Sequence, residues 1–494
     1  MYLGIDLGTS GVKVVLLDEA QQLAGVADAP LAVSHPQPLW SEQAPHSWWL
    51  ALDRAMQQLR HAAPGALARV RALGLSGQMH GAVLLDARQH VLRPAMLWND
   101  GRAFAQCAQL EAAEPRSRAI TGNLAMPGFT APKLLWLRQH EAAVFAQTRT
   151  VLLPKDWLRL QLTGEAVSDM SDASGTLWLD VGARRWSEPM LAACGLTLAH
   201  MPRLVEGSAP GGSLRPEIAQ AWGLPAGVVV AGGAGDNAAS AVGMGVVRAG
   251  EGFVSLGTSG VIFLATDSFR PAPAQAVHAF AHALPGRWHQ MSVMLSAASA
   301  LAWAARLTGR RSEAALLEEV ALLQPARRAQ APLFLPYLSG ERTPHNNAHA
   351  SASFTGLRQE HGAADIGYAV VEGVSFGLMD GFAAMRGGGP LANELALVGG
   401  GARSDLWAQL LACGLGCALR RHEGAHAAAA VGAARLGWLA DGGDEAQVCR
   451  APQGGRLFEP NTMETALLRP RYQRFRALYP ALAPHFANIP EEAA

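Results

Sequence analysis

The five-residue sequence Leu-Gly-Thr-Ser-Gly occurs twice in this chain of 494 residues, at positions 7–11 and again at positions 256–260. Each copy follows one short apolar run and precedes another, which predicts a strand, a tight turn and a second strand. Such a turn offers free backbone N–H groups and hydroxyls, which suit it to hold a phosphate chain. A single copy is most simply an ordinary hairpin. Two copies half a chain apart predict a duplicated fold that holds one polyphosphate from two sides.

The composition narrows the class of protein. A chain of this length is too long for one hydrophobic core, so at least two domains are expected. Half of the residues are apolar, 16% are charged and the net charge is zero, which is a soluble globular composition. This balance gives no reason to expect nucleic acid or a membrane as a partner. Five scattered cysteines, with no signal segment or membrane-length apolar run, favour a reducing cytoplasm.

The order of the predicted elements indicates an α/β fold, because strand-like and helix-like segments alternate from end to end. A domain boundary is predicted near residues 241–250, just before the second turn sequence. It divides the chain into an N-terminal domain, residues 1–243, and a C-terminal domain, residues 244–486. Predicted helices cover residues 47–61, 291–307 and 366–385, and predicted strands cover residues 72–76, 228–231 and 395–398.

Lysine is rare in this chain. Of 40 basic residues, only Lys13, Lys133 and Lys155 are lysines, and the others are arginines. A lysine retained in so arginine-rich a chain indicates a position where a guanidinium would not fit. Lys13 lies two residues beyond the first turn sequence and is therefore the best functional candidate of the three. Chance retention remains the alternative for Lys133 and Lys155.

Two aspartates are candidates for phosphoryl-transfer chemistry. Asp6 ends the first predicted strand, where a carboxylate can hold Mg²⁺, usually through water, and the metal can bridge phosphate oxygens. An aspartate that opens a turn often only caps backbone N–H groups, but beside two phosphate-type turns we favour the metal role. Asp236 follows a glycine-rich run and precedes Asn237. It can act as the base that accepts a proton from an attacking hydroxyl, and a helix N-cap is an equally supported interpretation.

Other polar and glycine-rich segments follow predicted strands. A polyol needs directed hydrogen bonds and an apolar wall, which His80, Trp98, Asn99 and Asp100 can supply together. A buried core histidine and a surface Asp–Arg pair are the alternative. The glycines at 399–401 suit an adenosine pocket, although neither a Rossmann nor a P-loop motif is present. The polar loop at 340–347 is either an inter-domain latch or an exposed turn.

Ten motifs spread along the chain resemble those of bacterial xylulokinases, which belong to the FGGY carbohydrate kinases. The resemblance extends from residue 1 to about residue 480 and is highly specific. It includes Gly-Ile-Asp-Leu-Gly-Thr-Ser-Gly-Val-Lys at 4–13, Gly-Gln-Met-His-Gly at 77–81 and Leu-Trp-Asn-Asp-Gly-Arg at 97–102. The other motifs lie at 38–43, 122–135, 153–156, 168–175, 235–237, 292–299 and 335–347.

This resemblance implies the two-domain, actin-like and ribonuclease H-like ATPase fold, with the active site in the cleft between the domains. It also implies ATP- and Mg²⁺-dependent phosphorylation of D-xylulose at its 5-hydroxyl, and a homodimer is a family expectation. By position, Asp236 becomes the proton acceptor and Asp6 the magnesium-associated acid. The implied sugar contacts are Met79, His80, Trp98, Asn99, Asp100, Asp236 and Asn237. The implied phosphate contacts are Gly8, Thr9, Ser10 and Lys13 from one domain and Gly257 and Thr258 from the other, and the implied adenosine contacts are Gly400, Gly401 and Asp405.

Two departures from the family pattern bear on these expectations. Ala234 replaces a glycine, which costs little unless that residue needs a positive φ. His426 stands in a region where the family often has an acidic residue, so any nucleotide-binding or closure role of that acid is in doubt.

Two rival functions remain open from the sequence. A sister kinase for ribulose, glycerol or gluconate is the nearer one, although a glycerol kinase is expected to have Gln-Arg-Glu where this chain has Gln-Met-His. A non-catalytic nucleotide switch of the actin or chaperone type is the more distant one. The presence of His80, Asp100 and Asp236 together weighs against it.

Overall fold

The computed structural model describes residues 1–385, 393–422 and 427–486. Its strands are β1 Tyr2–Leu7, β2 Gly11–Leu17, β3 Leu23–Pro30, β4 Glu42–Gln43, β5 Ala72–Gly77, β6 Val83–Leu85, β7 Ala95–Met96, β8 Thr150–Leu152, β9 Val167–Asp169, β10 Leu179–Asp180, β11 Arg185–Trp186, β12 Arg203–Val205, β13 Pro210–Ser213, β14 Val229–Ala231, β15 Ala234–Gly235, β16 Gly252–Leu256, β17 Gly260–Thr266, β18 His278–Ala281, β19 Trp288–Met294, β20 Leu333–Leu335, β21 Ser353–Thr355, β22 Glu394–Val398, β23 Ala418–Arg421 and β24 Arg456–Phe458.

Its helices are α1 Pro45–Ala62, α2 Pro64–Leu67, α3 Phe104–Ala113, α4 Ser117–Thr121, α5 Thr130–His140, α6 Ala142–Gln147, α7 Pro154–Thr163, α8 Met170–Ser174, α9 Glu188–Ala193, α10 Pro216–Trp222, α11 Asp236–Met244, α12 Ala298–Leu307, α13 Glu313–Ala321, α14 Pro325–Arg328, α15 Ala363–Met385, α16 Asp405–Leu415, α17 Ala428–Ala440, α18 Glu445–Val448 and α19 Thr462–Leu482. Short 3₁₀ turns cover Leu198–His200, Pro273–Gln275, Gly401–Arg403 and Ala483–His485. Within the described ranges, no helix is both long enough and apolar enough to cross a membrane.

Two seven-stranded sheets repeat one plan, which confirms the predicted duplication. The first has the order β13-β14-β5-β1-β2-β3, with β15 also paired to β5, and the second has the order β18-β19-β17-β16-β22-β23-β24. In each sheet a turn sequence joins an antiparallel hairpin, β1–β2 or β16–β17. The first strand of each hairpin has a parallel neighbour on its other side, β5 or β22.

One predicted helix is wrong in its first half. Residues 291–307 were expected to be helical, but the chain forms strand β19 up to Met294 and enters helix α12 only at Ala298. Strand β19 lies between β17 and β18 and is hydrogen-bonded to both, so pairing within the sheet decides the conformation of this segment. Neighbouring strands thus override a local pattern that fits either structure.

Helix α17 comes from the second half of the sequence but packs directly on the first half. A Cβ atom on Gly432 would lie 1.8 Å from the backbone oxygen of Ala239 in α11, and one on Gly243 would lie 2.0 Å from that of Ala428. The same helix also approaches β1, where a Cβ on Gly4 would lie 1.9 Å from the oxygen of Ala430. Backbones this close leave no room for a side chain. The two halves of the chain therefore meet at a crossing of α11 and α17, and α11 begins with Asp236.

The substitution Gly432→Ala is expected to destabilise the protein by about 3 kcal/mol, because the added methyl group forces α11 and α17 apart. Gly65→Ala is the matched control, since a Cβ on Gly65 meets no heavy atom within 4 Å, and its effect is expected to stay within about 0.5 kcal/mol. Urea unfolding followed by circular dichroism measures both variants. Equal stability of the two would refute the close helix crossing.

Candidate active site

Most residues predicted to bind sugar and phosphate follow the carboxyl ends of adjacent strands in the first sheet. Asp6 lies beside Ser76 in the parallel pair β1–β5, and Gly235 lies beside Gly77 in the pair β15–β5. The turn after β1, the segment after β5 and Asp236 after β15 therefore share one edge of the sheet. Ligands of open α/β sheets bind at this edge.

Asp6 lies close enough to Asp236 for its negative charge to raise the pKa of Asp236. The Asp6 carboxylate accepts a hydrogen bond from the Ser76 hydroxyl at 2.9 Å, and burial raises the pKa of Asp6 above its ordinary value. Burial, and then the negative charge of Asp6, raises the pKa of Asp236 to about 6. A carboxylate of this pKa is ionised near neutral pH and is a stronger proton acceptor than an ordinary aspartate.

Asp236 is not the N-cap of helix α11, so that alternative interpretation is wrong. Helix α11 begins at Asp236 itself, and Gly235 occupies the capping position with an extended conformation. Asp236 Oδ1 accepts hydrogen bonds from the backbone N–H of Asn237 at 2.7 Å and from its side-chain Nδ2 at 3.0 Å.

Ala234, the departure from the family pattern, lies in β15 and is not among the residues with a positive φ. The replacement therefore causes no backbone strain.

A hydrogen-bond network connects the first phosphate-type turn to the predicted sugar cluster. The Thr9 hydroxyl donates to Gln78 Oε1 at 3.1 Å and accepts from the indole Nε1 of Trp98 at 2.9 Å. Gln43 closes the network, because its Nε2 donates to the backbone oxygen of Thr9 at 2.8 Å and its Oε1 accepts from Gln78 at 3.1 Å. No role was predicted for Gln43 from the sequence, although one of the quoted motifs, at 38–43, ends on it. Gly8 and Ser10 lie on either side of Thr9 in this turn.

His80 is held in an unusual backbone conformation, with a φ of 68°. Its backbone oxygen accepts hydrogen bonds from Thr130 Oγ1 and Lys133 Nζ, both at 3.0 Å. Its Nδ1 lies 2.7 Å from the backbone oxygen of Gly175, so Nδ1 carries the proton and Nε2 is an acceptor. Burial lowers the pKa of His80 to about 3, which keeps the ring neutral. A neutral imidazole with an open acceptor nitrogen suits a sugar hydroxyl.

An apolar wall surrounds His80 and includes residues from both halves of the chain. The ring of Phe129 meets that of His80 edge to face at 4.7 Å, and Phe280 of strand β18 lies 6.3 Å from it. Met79 is buried and packs against Gly235, where a Cβ would lie 2.8 Å from Met79 Cγ. These contacts supply the apolar wall that the sequence analysis assigned to a polyol site.

The predicted sugar contacts at residues 98–100 differ in their exposure to solvent. Trp98 and Asn99 are exposed, whereas Asp100 is buried. The Asp100 carboxylate binds the guanidinium of Arg102, with Nη2–Oδ2 at 2.6 Å, and accepts the backbone N–H of Ser41 at 2.8 Å. The Asp–Arg pair predicted as the alternative is therefore present, but it is buried and not on the surface. Asp100 fixes the segment that carries Trp98 and Asn99.

The predicted nucleotide residues of the second half gather at the corresponding edge of the second sheet. Gly257 and Thr258 follow β16, and the glycines at 399–401 follow its parallel neighbour β22. Gly399 has a φ of 95°, and a Cβ on Gly400 would meet no heavy atom within 4 Å, so space remains over that residue. The Asp405 carboxylate binds Arg421 at 3.0 Å and also binds Arg456. His426 lies outside the described residues.

The structure changes the interpretation of the three lysines. Lys13 lies opposite Asp6 in the β1–β2 pair and contributes to the electrostatic environment of that carboxylate. Lys133 and Lys155, for which chance retention was the alternative, are fully buried. Burial lowers the pKa of Lys133 to about 7. Burial also disfavours the charge of Lys155, but the carboxylates beside it raise its pKa above the ordinary value. Both positions suit a slender ammonium group.

The loop at 340–347 is fastened to the second sheet and is not a simple exposed turn. Glu341 Oε1 accepts the backbone N–H of Leu295 at 3.1 Å, and the Thr343 hydroxyl donates to the oxygen of Ala276 at 2.9 Å. The loop also places Arg342 Nη1 at 3.4 Å from Nε2 of His278. The other ring nitrogen of His278 lies 2.9 Å from Asn123 Oδ1, which belongs to the first half. The loop therefore lies one contact away from the interface between the halves.

Glu341 gives a pH dependence that can be measured. Burial raises its pKa from 4.5 to about 8, so folding favours the protonated form. The stabilisation is fully present below pH 4.5 and is lost as the pH rises to about 8. Glu341→Gln keeps the carbonyl oxygen and removes the charge, so the variant is expected to gain at least about 1 kcal/mol relative to the wild type between pH 5 and pH 8. Thermal unfolding of both proteins between pH 5 and pH 8 measures this gain. A difference in stability that does not change with pH would contradict the prediction.

Comparisons with known proteins identify the family to which the chain belongs. Residues 1–243 match the N-terminal domain of the FGGY family of carbohydrate kinases, and residues 252–440 match its C-terminal domain. A xylulose kinase of Escherichia coli strain K12 is 52% identical over 492 residues, which covers 99% of this chain and 100% of the relative.

Solved structures give the same result. A crystal structure described as a xyloylose kinase from Brucella ovis is 52% identical, has a TM-score of 0.94, and the alignment covers 98% of this chain and 99% of that one. The xylulose kinase of Rhodospirillum rubrum is 29% identical with a TM-score of 0.90, over 99% of this chain and 100% of that one. The chain belongs to the FGGY family of carbohydrate kinases and has the two-domain α/β fold of that family.

Proposed function

We propose that this protein transfers the γ-phosphoryl group of ATP to the 5-hydroxyl of D-xylulose, giving D-xylulose 5-phosphate and ADP. The observation that carries the proposal is the position of Asp236, which shares one sheet edge with Asp6 and with the segment that carries His80 and has a pKa raised to about 6. Full-length relatives at 51% and 52% identity that are xylulose kinases support this choice of sugar.

Asp236 acts as the general base in this proposal. Phosphoryl transfer depends mainly on in-line positioning and on neutralisation of charge, and one carboxylate as proton acceptor is the usual addition. The hydrogen bonds from Asn237 to Oδ1 fix the orientation of the carboxylate. Closure of the cleft would bring the sugar hydroxyl, Asp236 and the γ-phosphate together and exclude competing water.

The sugar is assigned to the neutral His80 ring, to Met79 and to the exposed pair Trp98 and Asn99, with Asn237 beside the reacting hydroxyl. His80 Nε2 is suited to accept a hydrogen bond from a sugar hydroxyl, because Nδ1 is engaged by Gly175. Asp100 takes a positioning role in this proposal, since Arg102 and the Ser41 N–H occupy its carboxylate.

ATP is assigned to the two turn sequences and to the glycines after β22. The backbone N–H groups of Gly8, Thr9 and Ser10, with Lys13, would hold the β- and γ-phosphates from the N-terminal domain, residues 1–243. Gly257 and Thr258 would hold them from the C-terminal domain, residues 244–486. The adenosine is assigned to the open space over Gly400, with Gly401 and Asp405 at its border.

The residues present also fit a magnesium ion. Asp6 offers a carboxylate oxygen, the type of donor that Mg²⁺ takes in proteins, and its burial near Asp236 places two negative charges close together. Mg²⁺ bound with ATP neutralises negative charge on the phosphates. Asp6 would hold that ion through the water molecules bound to the ion. Lys13 lies opposite Asp6 in the hairpin.

ADP release by the purified protein tests the proposal. Mg·ATP is supplied with D-xylulose, D-ribulose, L-ribulose, glycerol, gluconate or no sugar, and EDTA is added in a parallel series. The expected result is turnover with D-xylulose that exceeds every other condition and disappears with EDTA. A preference for another sugar in the panel would indicate a sister kinase. Slow hydrolysis independent of sugar would indicate a nucleotide switch.

A further inference from the structure

A cluster of five fully buried charged side chains lies behind the loop that carries Asp236. Lys155 Nζ contacts Asp156 Oδ1 at 2.5 Å, Asp169 Oδ2 at 2.8 Å and Asp172 Oδ2 at 3.3 Å. Arg159, one turn further along α7, is equally buried. Three carboxylates at such spacing resemble a metal site, but the ammonium group of Lys155 already occupies the position of the cation. The cluster is therefore a built-in ionic network and needs no metal.

One branch of this network reaches, through Arg159, the backbone of the loop at residues 232–235, which directly precedes Asp236. Its two terminal nitrogens donate hydrogen bonds to the backbone oxygens of Ala231 and Gly232, the residues that end β14 and begin the loop. The next residue, Gly233, has a φ of 75°, and a Cβ there would lie 2.3 Å from the oxygen of Leu75. The beginning of the loop is thus held in one conformation.

A second branch reaches the end of the loop. Asp169 Oδ1 accepts the hydroxyl hydrogen of Ser171 at 2.5 Å, and the Ser171 oxygen accepts the backbone N–H of Gly235 at 3.1 Å. A hydroxyl has one hydrogen, and Asp169 takes it, so Ser171 Oγ must face Gly235 as an acceptor. Lys155 Nζ lies 2.8 Å from the other oxygen of Asp169 and holds this carboxyl group in place. The peptide directly before Asp236 is therefore fixed.

We propose that Ser171 is a positioning residue for the phosphoryl transfer, which acts through Gly235 to aim the carboxylate of Asp236 at the reacting hydroxyl. The Lys155–Asp169 pair holds Ser171 in the required orientation. This inference rests on the proposed role of Asp236 as base. Because a displacement of about 1 Å in a reacting group can cost 100-fold in rate, a small shift of the loop is enough to be measured.

The substitution Ser171→Ala tests the proposal, with Ser174→Ala as its matched control. Both serines are fully buried in α8, and each accepts one backbone N–H, from Gly235 in one case and from Ala281 in the other. Asp169 keeps its bonds to the backbone N–H groups of Ser171 and Asp172 in the variant, so α8 remains capped.

The expected result is a kcat that falls about 10- to 100-fold in Ser171→Ala, with KM for D-xylulose unchanged within about twofold. Ser174→Ala is expected to lose a similar amount of thermal stability and to keep kcat within about twofold. The proposal is overturned if the two variants have the same kcat, or if the loss in Ser171→Ala lies in KM alone. The Asp236→Ala variant shows which of the two proposals is wrong. If Asp236 is not the base, Asp236→Ala retains activity. If Asp236→Ala is inactive but Ser171→Ala keeps the kcat of its control, only the role of Ser171 is wrong.

Hydrogen exchange of the wild-type protein gives an independent test that needs no variant. The amide of Gly235 is expected to exchange as slowly as the amides of strand β5, because Ser171 holds it. Fast exchange of the peptide that contains Gly235, beside slow exchange of β5, would overturn the proposal.

Discussion

Replacement of Asp236 by alanine is expected to lower kcat by about 1000-fold or more, while D-xylulose still binds. A positioned base increases the rate of such reactions by about 100- to 10,000-fold. Among the described residues, Asp6 is the one other carboxylate assigned to the edge of the first sheet that carries Asp236. Asp6 cannot substitute as the base, because its carboxylate is engaged by Ser76 and is assigned to the metal. ADP release measures kcat, and calorimetric titration with D-xylulose measures binding in the absence of turnover.

Asp236→Asn is the matched variant, since it keeps the size of the side chain and removes its basicity. It is expected to fold and to bind sugar as the wild type does, with a kcat as low as that of the alanine variant. Retention of more than a few per cent of kcat in either variant would show that Asp236 is not the base. Thermal unfolding of both variants excludes a trivial loss of structure.

The largest effect on stability is expected from Lys155→Met, which removes the ammonium group that contacts three buried carboxylates. Loss of one partner from a buried ionic group costs about 3 to 5 kcal/mol, because the remaining charges are left without compensation. Burial already raises the pKa of Asp172 well above its ordinary value, and loss of the ammonium raises it further. The variant is therefore expected to recover stability as the pH falls and the carboxylates bind protons. Urea unfolding at pH 5 and pH 8 measures both effects.

Lys133→Met is the matched control, because Lys133 is equally buried but donates only to the backbone oxygens of His80 and Gly128. Its expected loss is about 1.5 to 3 kcal/mol at pH 8. Because the pKa of Lys133 is lowered to about 7, the relative gain of this variant between pH 8 and pH 5 is limited to about 1.4 kcal/mol. Lys155→Arg tests the sequence argument directly, since it keeps the charge and enlarges the group. Lys155 is fully buried and its Nζ lies within 3.3 Å of three carboxylate oxygens, which leaves little space for a larger group, so we expect the arginine to destabilise the protein. A Lys155→Met variant as stable as the wild type would contradict the account.

The sequence predicted the duplication and its two strand–turn–strand units because these depend on local signals. The repeated turn sequence lies at positions 7–11 and 256–260, and each copy forms the turn of an antiparallel hairpin at the start of its sheet. The position of Asp236 after a short strand was equally visible in the glycine-rich run before it. In these cases the residue types and their spacing already specify the backbone.

Other features depend on contacts between segments far apart in the chain, and the sequence did not predict them. Strand β19 is fixed by its two neighbours in the sheet, so a helical pattern over the same residues was misleading. The hydrogen bonds that hold the loop at 232–235 join Ser171 to Gly235 and Arg159 to Gly232, and each spans more than sixty intervening positions. No local pattern reports such a bond. The rarity of lysine, which drew attention to Lys155, and the motifs at 153–156 and 168–175 gave early signals of the buried network.

The position of the phosphate on the product tests the central claim most directly. D-xylulose is incubated with Mg·ATP and the wild-type protein, and the product is analysed by ³¹P and ¹³C nuclear magnetic resonance. The expected products are a single phosphate ester on C5 and one ADP for each sugar consumed. Inorganic phosphate without an ester, or an ester on another carbon, would contradict the proposed arrangement of Asp236, His80 and the two phosphate-binding turns.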